Sequence, residues 1–68
     1  MRYAEIIEKA GKGCSAYVPD LPGCVAAGAS VAKVRALLAE AVPVHLEGLR
    51  AAGETVPEPE SLLEWVEV

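Results

Sequence analysis

Ten carboxylates, one histidine and two cysteines are the side chains in this 68-residue sequence that could do chemistry beyond packing. Metal-assisted hydrolysis of a phosphodiester needs several carboxylates converging on two divalent ions, which activate water and stabilise the leaving oxygen. One of the ten acids is an aspartate, Asp20, and it stands among turn residues. Glu5 and Glu8 lie in a segment with strand character, where residues three apart project to opposite faces and cannot form one ligand pair. His45 has no Cys or Asp within a helical turn, so it lacks the partners of a zinc site, and no serine–acid arrangement surrounds it. It reads as a packed core or interface histidine, with a general base or pH switch as the alternative. Cys14 and Cys24 match no zinc or redox spacing and read as small buried hydrophobes. The expectation is no catalytic residue, no metal, no cofactor and no enzymatic activity.

The elements around these groups are set by punctuation residues. Arg2 to Lys9 reads as a first strand, Gly11-Lys12-Gly13 as a hairpin loop, and Cys14 to Val18 as a second strand. Pro19 holds Val18 extended and cannot donate to a ladder. Leu21-Pro22-Gly23-Cys24 has Pro second and Gly third in a four-residue turn, the type II pattern, because the third place needs a positive φ. A third strand follows over Gly23 to Ala27. This register brings Val18 near Gly23, Tyr17 near Cys24, and Cys14 opposite about Ala27. The two cysteines are then about three residues apart along the strands, roughly 10 Å, too far for a disulfide.

From Val31 the apolar period becomes helical. At about 100° per residue, Val31, Val34, Leu38, Ala41, Val42, His45, Leu49 and Ala52 form one stripe. Ser30 is placed to cap the helix, and Lys33 stands where a reciprocal capping box would have Glu or Gln. Pro43 falls on the solvent side of the run. It either bends one long helix or opens a second, shorter one. Gly53 is suited to the left-handed position after the last turn. Thr55 to Glu60 reads as an extended connector, and Leu62 to Val68 as a last strand with large apolar groups on both sides.

The order is β-β-β-α-β, an α+β fold in one domain spanning residues 1–68. A right-handed return after the helix lays the last strand beside the first and parallel to it. A chain of this size buries only about 60% of its unfolded surface, yet 53% of its residues are hydrophobic. Self-association as a dimer or a pair of dimers is therefore expected. Trp65, Val66 and Val68 are candidate contacts, with Trp65 left open between interface and core. No apolar run approaches the roughly 20 residues of a membrane span, and no signal peptide opens the sequence, which points to the cytoplasm. The net charge of −4 and six scattered cations argue against direct nucleic-acid binding and suit a basic protein partner. Tyr17, Asp20 and Leu21 would form an apolar and acidic tip for that partner. The plainer reading of Asp20 is a carboxylate bonded to the backbone of its own turn.

Tyr17-Val18-Pro19-Asp20-Leu21-Pro22-Gly23-Cys24 with Gly28 and Ser30, then His45-Leu46-Glu47-Gly48-Leu49, then Gly53-Glu54 and Pro57-Glu58-Pro59 form three blocks in order. Together they resemble the amino-terminal domain of HicB-type antitoxins over nearly the whole chain. The resemblance implies a trimmed ribonuclease-H-like sheet in strand order 3-2-1-4. It also implies a non-catalytic protein that binds and occludes a small basic HicA-type ribonuclease toxin. Lys33 departs from the acidic residue usual there. Full-length relatives usually continue into a DNA-binding domain, whereas this sequence stops at Val68 after the last strand. The expectation is a stand-alone short form, with autoregulation of transcription left open. The competing expectation is an orphan oligomeric interaction module with no cognate toxin.

Overall fold

A computed structural model describes residues 1–67 of the chain. Three strands, β1 (Ile6–Ala10), β2 (Gly13–Tyr17) and β3 (Val25–Gly28), precede one helix, α1 (Val31–Ala51). The strands form an antiparallel sheet in the order β1-β2-β3, and α1 packs across β2 and β3. The two layers give a molecule 16 Å thick in its thinnest direction and 41 Å in its longest.

Alternation along β2 builds the core. Cys14 and Ala16, with Val18 just beyond the strand, are buried, whereas Ser15 and Tyr17 are not. The inward set meets Val34, Leu38 and Leu46 of α1, and Leu21 and Cys24 from the loop between β2 and β3 close one end. Val34, Leu38 and Leu21 are fully enclosed. Val34, Leu38, Ala41, Val42 and Leu49 of the expected stripe pack into or against this core. Val31 is exposed, and Leu46, beside the stripe, is buried.

The double turn follows from its residues. Leu21 N–H donates to the Val18 carbonyl and Cys24 N–H to the Leu21 carbonyl, both at 3.0 Å, while Gly23 takes φ +86°. Val18 N–H reaches the Cys24 carbonyl at 3.1 Å and closes the loop. These bonds hold Cys24 out of the ladder, so β3 starts later than Gly23. The register is shifted by one: Tyr17 faces Val25 and Cys14 faces Gly28. β1 likewise begins at Ile6 and not Arg2. Ile6 faces Tyr17, and beyond that pair β2 has turned into the loop, where Pro19 has no N–H to offer. Both cysteines are free and buried.

Ser30 caps α1 from an extended conformation, its Oγ accepting from the Lys33 N–H at 3.1 Å. The helix runs unbroken through Pro43, which is exposed; the missing N–H therefore lies on the side where water can serve the Ala39 carbonyl. At the other end Gly53, at φ +73°, donates to the Arg50 carbonyl, and Glu54 N–H donates to Leu49. Those two bonds form a Schellman stop.

The expected fourth strand is a correction. Leu62 to Glu67 form no ladder, and the order 3-2-1-4 is not made among the described residues. Val68 lies outside them. A strand with large side chains on both sides needs cover on both faces. One helix on one face of a three-stranded sheet supplies only half of that. The four large apolar residues of the segment stay exposed: Leu62 86%, Leu63 66%, Trp65 86% and Val66 83%.

Candidate partner-binding surface

The sheet face opposite α1 carries Tyr17 on its middle strand, in the end row beside the loop. Directly paired residues of antiparallel strands project to the same face. The pairs Ile6–Tyr17 and Tyr17–Val25 therefore set an apolar row across all three strands, with Glu8, Ser15 and Ala27 as the next row. Tyr17 is 40% exposed and Val25 66%. Alternation along each strand makes this row legible in principle. The register that joins its members depended on a turn longer than expected, so Ile6 and Val25 were not picked out beforehand.

The other two residues of the expected tip behave differently. Leu21 is a correction, since its side chain is fully buried with Val18 and Cys24. The two consecutive turns carry it back beneath the loop, so it supports the surface from inside. Asp20 is half-buried and already occupied. One carboxylate oxygen accepts from the Glu60 and Ser61 amides at 3.1 and 3.0 Å, and the other from the Ser61 hydroxyl at 2.9 Å. The Ser61 amide does most to hold the Asp20 carboxyl below its ordinary value. Partial burial opposes that effect, while the Ser61 hydroxyl and Glu60 amide add to it. The plainer expectation, a carboxylate bonded to the backbone of its own turn, is corrected: the amides it accepts from are those of Glu60 and Ser61, 40 and 41 positions away. No local motif announces Ser61 as the partner.

Beside the loop, Cys24, Val25, Leu37, Ala41, Val44 and His45 line a shallow hollow. His45 is half-buried there. Burial pushes the Cys24 thiol up, disfavouring the thiolate that a nucleophile or metal ligand would need. Among the described residues no group of three or more His, Cys, Asp or Glu side chains is placed to hold a metal ion. Nor is any described helix long and apolar enough to cross a membrane. Of the candidate oligomer contacts, Trp65 and Val66 are exposed in the segment after Ser61. Val68 lies outside the described residues.

Comparison with known proteins agrees with the motif reading. Residues 3–68 match the family described as the HicB-like antitoxin of bacterial toxin–antitoxin systems. A curated protein of Haemophilus phage HP1, described as an uncharacterized 14.9 kDa protein in the rep-hol intergenic region, is 32% identical over 66 residues. The match covers 97% of this chain and 50% of that relative, so the chain spans half the relative's length. With a family match running from the start of the first strand region through the segment after Ser61, this chain belongs to the HicB-like antitoxin family.

Proposed function

We propose that this chain is a non-catalytic antitoxin that binds a small basic ribonuclease toxin of the HicA type. It would act by occlusion, covering the toxin's RNA-binding face and active site. The observation that carries this reading is the family match over residues 3–68. The net charge of −4 supports a basic partner, since complementary charge speeds encounter and discriminates against wrong partners. The surface we assign to the toxin is the loop end of the outer sheet face, with Tyr17 on the middle strand, Ile6 and Val25 beside it and Glu8 in the next row. Leu21 holds the adjoining loop from within, and Asp20 fixes the loop against Ser61. The reading requires a cytoplasmic location, where such a toxin would meet its RNA.

Titration calorimetry against the product of a neighbouring short basic reading frame tests it. Binding should weaken as salt rises, because charges at a rim are screened over about 8–10 Å at physiological ionic strength. Inhibition of that product's ribonuclease activity should follow the same salt dependence. Absence of any binding would refute the toxin reading. It would favour the second one, an oligomeric interaction module without a toxin, which the exposed Leu62, Leu63, Trp65 and Val66 support.

A further inference from the structure

The net charge of −4 is unevenly spread along the chain. Residues 1–52 hold all six cations and five of the ten acids. The other five acids, Glu54, Glu58, Glu60, Glu64 and Glu67, follow Gly53 with no cation among them. The acidity that suits a basic partner therefore belongs to the connector and the segment after it, and not to the sheet or the helix.

Two fastenings put that charge at one end of the sheet. Ile6–Tyr17 is the last pair of the β1–β2 ladder on the loop side. Tyr3, three residues before Ile6, donates to the Pro57 carbonyl. Asp20, three residues after Tyr17, accepts from the Glu60 and Ser61 amides. The connector is thus a strap tied on both sides of that pair, with Glu58 and Glu60 exposed between the ties. Cations gather at the opposite end, where Lys9 and Lys12 flank the Ala10–Gly13 pair and Lys33 lies against Gly28. Four strand steps separate the two rows, roughly 13 Å, more than the screening length of about 8–10 Å at physiological ionic strength. α1 begins just after Gly28, beside the basic end, so its dipole adds in the same sense. Arg2, which shares a hollow with Ser61, and Arg50 in the last turn of α1 offset only part of the strap's charge.

We propose that the toxin sets a cationic patch on Glu58 and Glu60 of the strap and an apolar patch on the row of Ile6, Tyr17 and Val25 beside it, with the hairpin end turned away. This rests on the antitoxin reading and deepens it, since it says which charges meet the toxin and in which orientation. The occupant is a basic protein and not RNA, because the strap repels phosphate. The two halves of the surface divide the work. Exposed charges steer encounter and set orientation, whereas the apolar contact governs how long the complex lasts.

The test is stopped-flow association with the product of the neighbouring short basic reading frame, compared at physiological ionic strength and then over a salt series. Glu58→Gln with Glu60→Gln should slow association at least about threefold and flatten its salt dependence, with the thermal melt unchanged. Lys9→Gln with Lys12→Gln, beyond the screening length, should leave the rate within about twofold. All four substitutions together restore the net charge of −4, yet association should stay as slow as in the acid pair. Val25→Ser should speed dissociation and leave the salt dependence alone. A parental rate in the fourfold variant would mean that only total charge matters, and it would overturn the inference. An acid pair as fast as the parent, or parental dissociation of Val25→Ser, would overturn it too. In those cases the toxin still binds and the antitoxin reading stands. A parent chain that binds nothing refutes both.

Discussion

Asp20 holds Ser61 by both of that residue's donors, the amide at 3.0 Å and the hydroxyl at 2.9 Å, across 41 positions of sequence. The Tyr3 hydroxyl, on the neighbouring chain segment, donates to the Pro57 carbonyl. The connector after α1 is thus fastened at two points to the end of the sheet. An aspartate that a turn alone would leave idle determines where the apolar segment after it begins.

The first prediction concerns acid. The Asp20 carboxyl is depressed below its usual value of 3.8, so the native state favours its charged form. The stabilisation this gives is present above that value and is lost as pH falls through the lower, native one. NMR titration should show the Ser61 amide signal moving in that acid window. In Asp20→Asn the movement should vanish. An unchanged Ser61 titration in the variant would remove Asp20 as its cause.

Asp20→Lys should do more than reverse a surface charge. It deletes three acceptor contacts and places a donor against two amides. Limited proteolysis after residue 57 should become faster, while the α1 signals of the core stay in place. Equal cleavage rates in the variant and the parent would show that the tie does not hold the connector.

Core truncation should be severe. Leu38 is fully buried, and Leu38→Ala should cost about 2–5 kcal/mol through lost burial and the cavity left behind. Val44→Ala, at a position 68% exposed, should stay within about 0.5 kcal/mol. Paired urea melts check both. Similar midpoints for the two variants would mean that α1 does not pack as described.

Gly13 is confined by a neighbour. A Cβ there would lie 2.6 Å from the Gly28 carbonyl oxygen, which is backbone and cannot swing aside. Gly13→Ala should therefore destabilise by about 1–3 kcal/mol and separate β2 from β3 at that end. Gly23→Ala adds no clash but forces a side chain into the left-handed region, at about 1–2 kcal/mol. Thermal melts of both should fall; a neutral Gly13→Ala would mean the strands can part there without penalty.

Cys24 should react slowly with thiol reagents in the native protein. Burial raises its thiol above the usual 9.0, so the native state disfavours the thiolate. Any stability linked to it is present below that value and is lost as pH rises through the native one. Unfolding in denaturant should expose two fast thiols without reductant. A bridge between Cys14 and Cys24 would contradict the register, since Cys14 faces Gly28.

The elements themselves were legible in local chemistry. Pro22 and Gly23 announced the turn, Ser30 the helix start, Gly53 its end and the apolar period α1, because each acts through bonds to near neighbours. Pro43 left one helix or two open, and the packing of Val34 through Leu46 on a single core decided for one. The family too was readable, since its motif lies in these same short blocks. What local chemistry could not set was anything depending on distant partners. The register moved by one because the Val18–Cys24 bond closed a longer loop than the turn residues alone require. Leu21 turned inward, and Asp20 found Ser61, because the end of the core and the returning connector meet there. The alternation of Leu62 to Val68 satisfies the local pattern of a strand. A strand, however, exists only where another backbone takes up its hydrogen bonds, and that is a property of tertiary structure.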